Sequence, residues 1–171
     1  MKRLTWCFAA LFMVLLTTNC ERDDVCSDAT PVTPRVVVDF YDYNNNTQLR
    51  NVTNMTLKST DTDSIITVGN ASQVRIPLKT FEDTTTYTLT INDDENPATI
   101  TRTDTLTFNY ARREIYVSRA CGYKTVYDLD RGTGNQGVVL NNGTSGNWIR
   151  TVVIDSYTIE FENETHIRIY F

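Results

Sequence analysis

After Pro34, apolar and polar side chains alternate at every second position over most of the chain. A period of two is that of a β-strand, whose successive side chains point to opposite faces of a sheet. The pattern predicts strands at 36–41, 55–58, 74–79, 87–91, 100–110, 115–117, 126–129, 138–140, 148–154 and 167–171. Threonine is frequent at the polar positions, as expected for exposed strand faces, and no window of eleven residues has helical spacing.

Clusters of asparagine, glycine and proline separate most of these runs and predict turns. They lie at 44–46, 68–70, 92–97 and 141–147, the last of which predicts a hairpin leading into Trp148. Pro77 predicts that the strand at 74–79 lies at a sheet edge. Short strands at roughly ten-residue spacing predict an all-β fold, an antiparallel β-sandwich with an immunoglobulin-like or transthyretin-like Greek key.

An outer-membrane β-barrel, in which one sheet closes on itself, is the alternative architecture. Residues 167–171 support it, because their alternating apolar residues end in Phe171, as in the closing strand of such proteins. The other strands mostly lack a long apolar stripe that could face lipid, and threonine and charged residues occupy both faces at 101–104. The sandwich is therefore preferred, with 167–171 as a final core strand.

Residues 1–19 have the organisation of a secretory signal peptide. Two basic residues precede an apolar run at 4–16, which is shorter than the roughly 20 residues that span a bilayer. The run ends just before Cys20, which resembles a bacterial lipobox, where the cysteine is acylated and becomes the mature N-terminus. Thr17 and Asn19 differ from the preferred lipobox residues, so ordinary signal-peptidase cleavage is the alternative.

The polar segment after Cys20 favours lipidation. Charged residues and two prolines predict a lipidated tether over 20–34, followed by a folded domain over 35–171. Arg22-Asp23-Asp24 resembles the surface-export tag of Bacteroidota lipoproteins. More than one acyl chain gives stable anchoring. We therefore expect a protein anchored in the outer membrane, facing either the periplasm or the cell surface.

The four cysteines have separate predicted roles. Cys7 lies in the signal peptide, and Cys20 is the predicted lipid carrier. Cys26 and Cys121 remain as an even pair in an exported protein, which predicts one disulfide. Two isolated thiols without Cys-x-x-Cys spacing do not predict a metal site.

The charge balance argues against nucleic acid as a partner and predicts that the acyl chains alone anchor the protein. Lysine and arginine number 16 against 21 acidic residues, so the net charge is −5. Loss of the signal peptide removes two basic residues, which makes the mature net charge −7. An acidic chain is not expected to bind nucleic acid. It also has little attraction to anionic lipid, so we expect the domain to stand off the membrane.

The sequence shows no catalytic constellation. His166, the single histidine, is assigned to the face opposite Ile167 and Ile169 and is predicted to be solvated. A glycine-rich segment at 132–137 lacks the Lys-Ser/Thr of a phosphate loop. Acidic clusters occur at 61/63, 93–95, 128/130 and 160–164, with 92–96 as the best calcium candidate, but solvated loops explain them. We expect no enzymatic activity, no cofactor and no metal.

Three positions are candidates for O-glycosylation. Ser64, Thr84 and Thr105 each follow an aspartate and precede an aliphatic residue or a threonine. This pattern resembles the Bacteroidota acceptor sequence.

The segments CERDDVC, TPRVVVDFYD, DTLTFNYARREIYVSRACGYKTVYDL and ETHIRIYF together resemble a family of uncharacterised Bacteroidota lipoproteins. The resemblance covers nearly the whole mature chain. It implies lipidation at Cys20, places Cys26 and Cys121 in matching segments, and implies location and fold but no reaction. We expect a non-catalytic binding or structural accessory module of the cell envelope, with an envelope protein or a glycan as partner. A carbohydrate-active enzyme is the alternative from another class.

Overall fold

The computed structural model describes residues 25–27, 30, 32–92, 101–130, 136–142 and 147–171. The described residues divide into a small unit, which contains those up to Thr30 and Tyr116–Tyr123, and a large unit, which contains the rest. The signal peptide, Cys20 and the export tag lie outside the described residues. So do most of the calcium candidate and most of the glycine-rich segment.

The described chain is built of β-strands and has no helix, so the all-β prediction is confirmed. The strands are β1 (Val36–Tyr41), β2 (Val52–Ser59), β3 (Ile65–Ala71), β4 (Gln73–Ile76), β5 (Thr84–Asn92), β6 (Thr101–Ser118), β7 (Gly122–Leu129), β8 (Val138–Asn142), β9 (Thr151–Ile154), β10 (Thr158–Ile159) and β11 (Ile167–Tyr170).

These strands form two separate sheets. The first has the order β4-β1-β11-β9, and the second has the order β10-β7-β6-β5-β2-β3, with β8 paired to β6. Among the described strands neither sheet closes on itself, so the sandwich is confirmed and the alternative with one closed sheet is wrong. β4 lies at the edge of the first sheet and ends just before Pro77, as the proline predicts.

One strand pair departs from the purely antiparallel arrangement that the pattern predicts. β1 and β11 are parallel, with Val38 opposite Ile167 and Phe40 opposite Ile169. Residues 36–40 are buried on both faces of β1, which is typical of parallel pairs in the interior of a sheet. Its mostly apolar run, interrupted by the buried Asp39, therefore marks a central strand rather than an edge.

Inward-facing side chains of both sheets form one hydrophobic core. Burial of each such side chain contributes about 1.5–3 kcal/mol. The first sheet supplies Val36, Val38, Phe40, Ile76, Ile167 and Ile169, and the second supplies Met55, Leu57, Leu89, Leu106, Phe108 and Ile159.

The predicted turn at 68–70 is wrong, because β3 continues through it to Ala71. Gly69 adopts a φ of 75°, a conformation that side chains with a Cβ rarely take. The β2–β3 register shifts on both sides of the Met55–Gly69 pair, and Asn70 Oδ1 accepts a hydrogen bond of 2.8 Å from the Asn54 N–H. The glycine therefore serves a β-bulge.

The predicted hairpin into Trp148 is also wrong. β8 pairs with β6 in the second sheet, whereas β9 pairs with β11 in the first, so the chain changes sheets between them. Residues 147–150 precede β9 and belong to no strand. The buried N–H groups of Trp148 and Ile149 each donate to Oδ2 of Asp104 at 2.8 Å. A buried carboxylate thus replaces the strand ladder for this segment.

His166 is fully buried, so the prediction that it is solvated is wrong. Its main-chain N–H donates to the Val37 carbonyl at 3.0 Å, and its Nδ1 accepts from the Val37 N–H at 2.9 Å. The neutral ring therefore carries its proton on Nε2, which is buried without a hydrogen bond among the described residues. Burial lowers the pKa of His166, and the carboxylates of Glu164 and Glu162 only partly oppose this effect.

Candidate binding site

A pocket of about 430 Å³ lies at the end of the sandwich where β1 and β11 end and β6 begins. Four segments that are far apart in sequence supply its walls. We call it the arginine pocket, and it is lined by Tyr43, Asn44, Arg50, Arg102, Asn147, Trp148, Arg150 and Phe171.

Arg50 is held against an aromatic ring. Its guanidinium lies 4.5 Å from the centroid of the Phe171 ring, and Nη1 donates to the Phe171 carbonyl at 3.0 Å. Asp42 approaches it at 3.6 Å through Oδ2, while Oδ1 of Asp42 accepts from the N–H groups of Asn44 and Asn45. A cation–π contact and an adjacent carboxylate therefore fix this arginine in place.

Arg150 contributes a charge with no partner. Its main-chain N–H donates to the Tyr170 carbonyl at 2.8 Å, which fixes its backbone beside β11. No described residue forms an ion pair or a hydrogen bond with its exposed side chain. Arg102 stands at the start of β6, opposite Ile91 of β5. Three arginines thus line a pocket whose described walls include no aspartate or glutamate, in a chain with a net charge of −5.

The floor of the arginine pocket belongs to the core. The Trp148 ring packs edge-on against Phe171, with 5.4 Å between the ring centroids, and lies tilted against Phe40 at 6.1 Å. Its Nε1 donates to the Leu89 carbonyl at 3.2 Å, and Asp104 holds its main chain. Because both N–H groups of Trp148 have acceptors and its ring is buried, this wall is formed before any ligand arrives.

The arrangement suits the binding of an anion. Guanidinium groups bind the oxygens of carboxylate, sulfate or phosphate through paired, charge-assisted hydrogen bonds. The amides of Asn44 and Asn147 can donate to further ligand oxygens. The described lining holds no histidine, cysteine, serine, aspartate or glutamate.

A second pocket, of about 450 Å³, is acidic, and it contains the predicted 128/130 cluster. The structure brings Asp128 and Asp130 together with Asp83 from the start of β5. Arg112 Nε donates to Asp83 at 2.6 Å, and Arg113 Nε donates to Asp128 at 2.8 Å. We call this the acidic pocket; its other lining residues are Thr84, Asn109, Tyr110, Ala111 and Leu129.

The acidic pocket does not have the arrangement of a glycosidase. That chemistry needs a carboxylic acid that stays protonated because burial shields it from water and from cations. The Asp83 side chain is 68% exposed, and both Asp83 and Asp128 are held by arginines. No group of three or more His, Cys, Asp or Glu side chains in the described ranges could hold a metal ion.

From the other described acidic clusters, Asp61, Asp63 and Glu162 form surface ion pairs, which typically contribute 0 to about 1 kcal/mol each. The pairs are Asp61 with Lys79 at 2.5 Å, Asp63 with Lys58 at 3.5 Å, and Glu162 with Arg35 at 2.8 Å and Arg75 at 3.2 Å. Their residues therefore have structural partners.

The three candidate glycosylation positions differ in accessibility. Ser64 and Thr84 are exposed, just before β3 and at the start of β5. Thr105 is half-buried in the middle of β6, paired with Thr88 on one side and with Asn141 on the other. The aspartate that precedes it is the buried Asp104, whose carboxylate is already bound to main-chain N–H groups. The fold gives Asp104 a structural role of its own, and all three glycosylation positions stay predictions.

The predicted disulfide is present in the small unit. Cys26 and Cys121 are bonded across a sequence separation of 95, with their Cα atoms 5.0 Å apart. The Cys121 N–H donates to Ser118 Oγ at 3.0 Å, which closes the turn between β6 and β7. This bond fixes the end of the predicted tether to a hairpin tip.

The comparisons with known proteins identify a family. No curated protein matches the chain, and no solved structure matches it. Among the described residues no helix is long and apolar enough to cross a membrane. Residues 53–171 match the sequence pattern of DUF6452, a family of unknown function. The match begins inside β2 and does not include β1. This chain therefore belongs to DUF6452, a family of unknown function.

Proposed function

We propose that this protein is a non-catalytic binding module of the outer membrane, anchored by acyl chains on Cys20, which takes an anionic ligand in the arginine pocket. The observation that carries the binding role is the arginine pocket itself. Its three arginines have no aspartate or glutamate among the described lining residues, although acidic residues outnumber basic ones in the chain. Charges of one sign gathered against the net charge of the molecule favour a ligand of the opposite sign.

Arg150 is the main contact that we assign to the ligand. The Arg50 guanidinium already binds the Phe171 main-chain oxygen and lies close to Asp42. We therefore assign it a supporting role in the site. Arg150 has a fixed backbone, and its guanidinium has no partner in the part of the chain that the structure describes. A hydrogen bond to a charged group contributes about 1.5–3 kcal/mol. The acidic group can belong to a glycan or to an envelope protein, and both present carboxylate, sulfate or phosphate oxygens.

The anchoring part of the proposal rests on sequence and on the disulfide. Residues 1–19 have the pattern of a signal peptide that ends at Cys20. The Cys26–Cys121 bond is typical of a protein that folds in an oxidising compartment outside the cytoplasm.

Titration calorimetry of the mature protein tests the binding role, with oligogalacturonate and dextran sulfate as anionic probes and dextran as the neutral probe. We expect at least one anionic probe to bind and Arg150→Ala to weaken it roughly tenfold or more, in line with one lost charged hydrogen bond. Arg113→Ala is the matched control, because that arginine pairs with Asp128 outside the pocket. Equal binding of dextran, or an unchanged Arg150→Ala variant, would contradict the proposal.

Acyl labelling in the native envelope tests the anchor. We expect Cys20→Ala to abolish the label and to remove the protein from the membrane fraction. Replacing Arg22, Asp23 and Asp24 with alanine then decides the side of the membrane: the protein should stay anchored but become protected from protease added to whole cells. Labelling that persists without Cys20 would disprove the anchor.

A further inference from the structure

Two tyrosines lie side by side on the surface of the small unit. Tyr116 at the end of β6 and Tyr123 at the start of β7 are 57% and 66% exposed, and their rings meet edge-on at 5.4 Å between centroids. Val25, close to the disulfide in sequence, is 80% exposed. Tyrosine has an apolar ring and a polar hydroxyl, which makes it frequent at the boundary between membrane and water.

The charges around the two tyrosines are compatible with a lipid surface. Residues 115–127 contain no aspartate or glutamate, although the chain has 21 acidic residues. The same stretch carries Arg119 at the turn. An anionic bilayer would therefore meet no carboxylate of this stretch itself, although Glu114 and Asp128 flank it directly and Asp28 lies two residues from Cys26.

The disulfide sets how far this hairpin tip can lie from the acyl chains. Cys20 precedes Cys26 by six residues, a stretch that reaches at most about 21 Å when fully extended. Without the bond, the first strand would be the nearest fixed point, sixteen residues after Cys20 at Val36, and the reach would grow to about 56 Å. The Cys26–Cys121 bond thus keeps the tyrosines within a short distance of an anchored Cys20.

We propose that the hairpin tip docks on the bilayer surface, with Tyr116 and Tyr123 at the level of the lipid headgroups. This inference rests on the proposed lipidation of Cys20. It differs from the expectation, based on net charge, that the domain stands off the membrane. The composition of the hairpin tip and the length of the tether decide whether this contact forms, and the charge of the rest of the chain matters less. The disulfide is then a positioning element as well as a stabilising one.

Quenching by brominated lipid tests the docking. The lipidated mature protein is reconstituted into phosphatidylethanolamine/phosphatidylglycerol vesicles with a brominated phosphatidylcholine, and Tyr123→Trp is compared with Phe81→Trp. Phe81 is 89% exposed and belongs to the large unit, so it is the matched exposed control. The buried Trp148 gives the same background in both. We expect the lipid to quench most of the emission added at position 123 and little of that added at 81.

Vesicle flotation in the same samples separates the two proposals. Protein that floats with its position-123 tryptophan unquenched would overturn the docking and leave the anchor intact, and protein that does not float would overturn both. A Gly/Ser insertion of about ten residues between Asp24 and Val25 lengthens the tether but keeps the disulfide. We expect this variant to float and to lose much of the quenching. Undiminished quenching would show that the short tether is not what holds the tip at the surface.

Discussion

The arginine pocket and the acidic pocket have nearly equal volumes, about 430 and 450 Å³, but they differ in how their charged side chains are paired. In the acidic pocket, Asp83 and Asp128 are each held by a neighbouring arginine. In the arginine pocket, Arg150 has no side-chain partner among the described residues. Volume alone does not distinguish the two pockets as candidate binding sites. The balance of charge within each one separates a structural surface from a candidate binding site.

The two pockets also differ in what supports them. The wall of the arginine pocket that carries Trp148 depends on Asp104, a carboxylate with no exposed surface. The acidic pocket depends on ion pairs at the surface, where water and salt weaken each interaction. A preformed site needs the first kind of support, because its geometry must exist before the ligand binds.

Replacing Asp104 should have the largest effect. Asp104→Ala leaves the buried N–H groups of Trp148 and Ile149 unpaired, at about 1–3 kcal/mol each, so we expect a loss of roughly 2–6 kcal/mol in the free energy of unfolding. Asp83→Ala at the acidic pocket should cost less than about 1 kcal/mol. Denaturant unfolding of both variants measures the difference. Asp104→Asn keeps an acceptor oxygen and should fall between them; equal losses for the alanine variants would remove the distinction in support.

Reducing the disulfide should be the next largest change. Opening the Cys26–Cys121 loop is expected to lower the free energy of unfolding by roughly 2–5 kcal/mol, while every residue of the arginine pocket belongs to the large unit. Anion affinity in the reduced but still folded protein should therefore stay the same. Calorimetry in the presence and absence of reductant checks this. A parallel loss of affinity would show that the site is not a property of the large unit alone.

Mild acid should weaken the fold without emptying the arginine pocket. The pKa of His166 is lowered in the folded state, so as the pH falls below about 6.5 the unfolded chain takes up a proton first. The free energy of unfolding should decrease from there until the pH reaches the folded pKa. The chain has one histidine and arginine stays charged, so anion affinity should hold over the same range. His166→Asn should abolish the slope that begins below about pH 6.5; a slope that persists there would point to another group.

The smallest effect should come from simple ions. Sulfate at a concentration equal to its dissociation constant would stabilise the fold by about 0.4 kcal/mol, or roughly 1–2 °C in melting temperature. Calcium chloride should give no comparable shift, because the carboxylates of the acidic pocket already have arginine partners. Sulfate also stabilises proteins without binding, because it is excluded from their surface. The shift measured for Arg150→Ala gives this general effect and is subtracted. A sulfate shift that this variant retains in full would argue against the arginine pocket.

Local pattern was enough for several features. The period of two predicted the all-β class and most strands, since the alternation of side chains across a sheet is a property of each strand alone. Pro77 predicted the edge, because a missing N–H is intolerable in a sheet interior. Cys26 and Cys121 were paired by elimination among four cysteines. The signal peptide and Cys20 are likewise local predictions, and they lie outside the described residues.

Only the tertiary structure decided which strands became neighbours. The parallel β1–β11 pair joins segments from opposite ends of the chain, and the change of sheet after β8 replaced the expected hairpin. A strand's own sequence fixes which faces are apolar, but non-local packing chooses its partner. His166 was misplaced for this reason: it lies just before β11, and its burial comes from pairing with Val37.

The arginine pocket could not be found in the sequence, because Arg50, Arg102 and Arg150 come from three distant segments and none lies in a motif. The same holds for Asp104, which resembles part of a glycosylation motif locally but binds the Trp148 segment in the fold. Hydrophobic alternation is repeated along a strand and can be recognised from neighbours in the chain. A charged site is instead formed by single residues from separate segments. Whether they come together depends on the strand order in the two sheets.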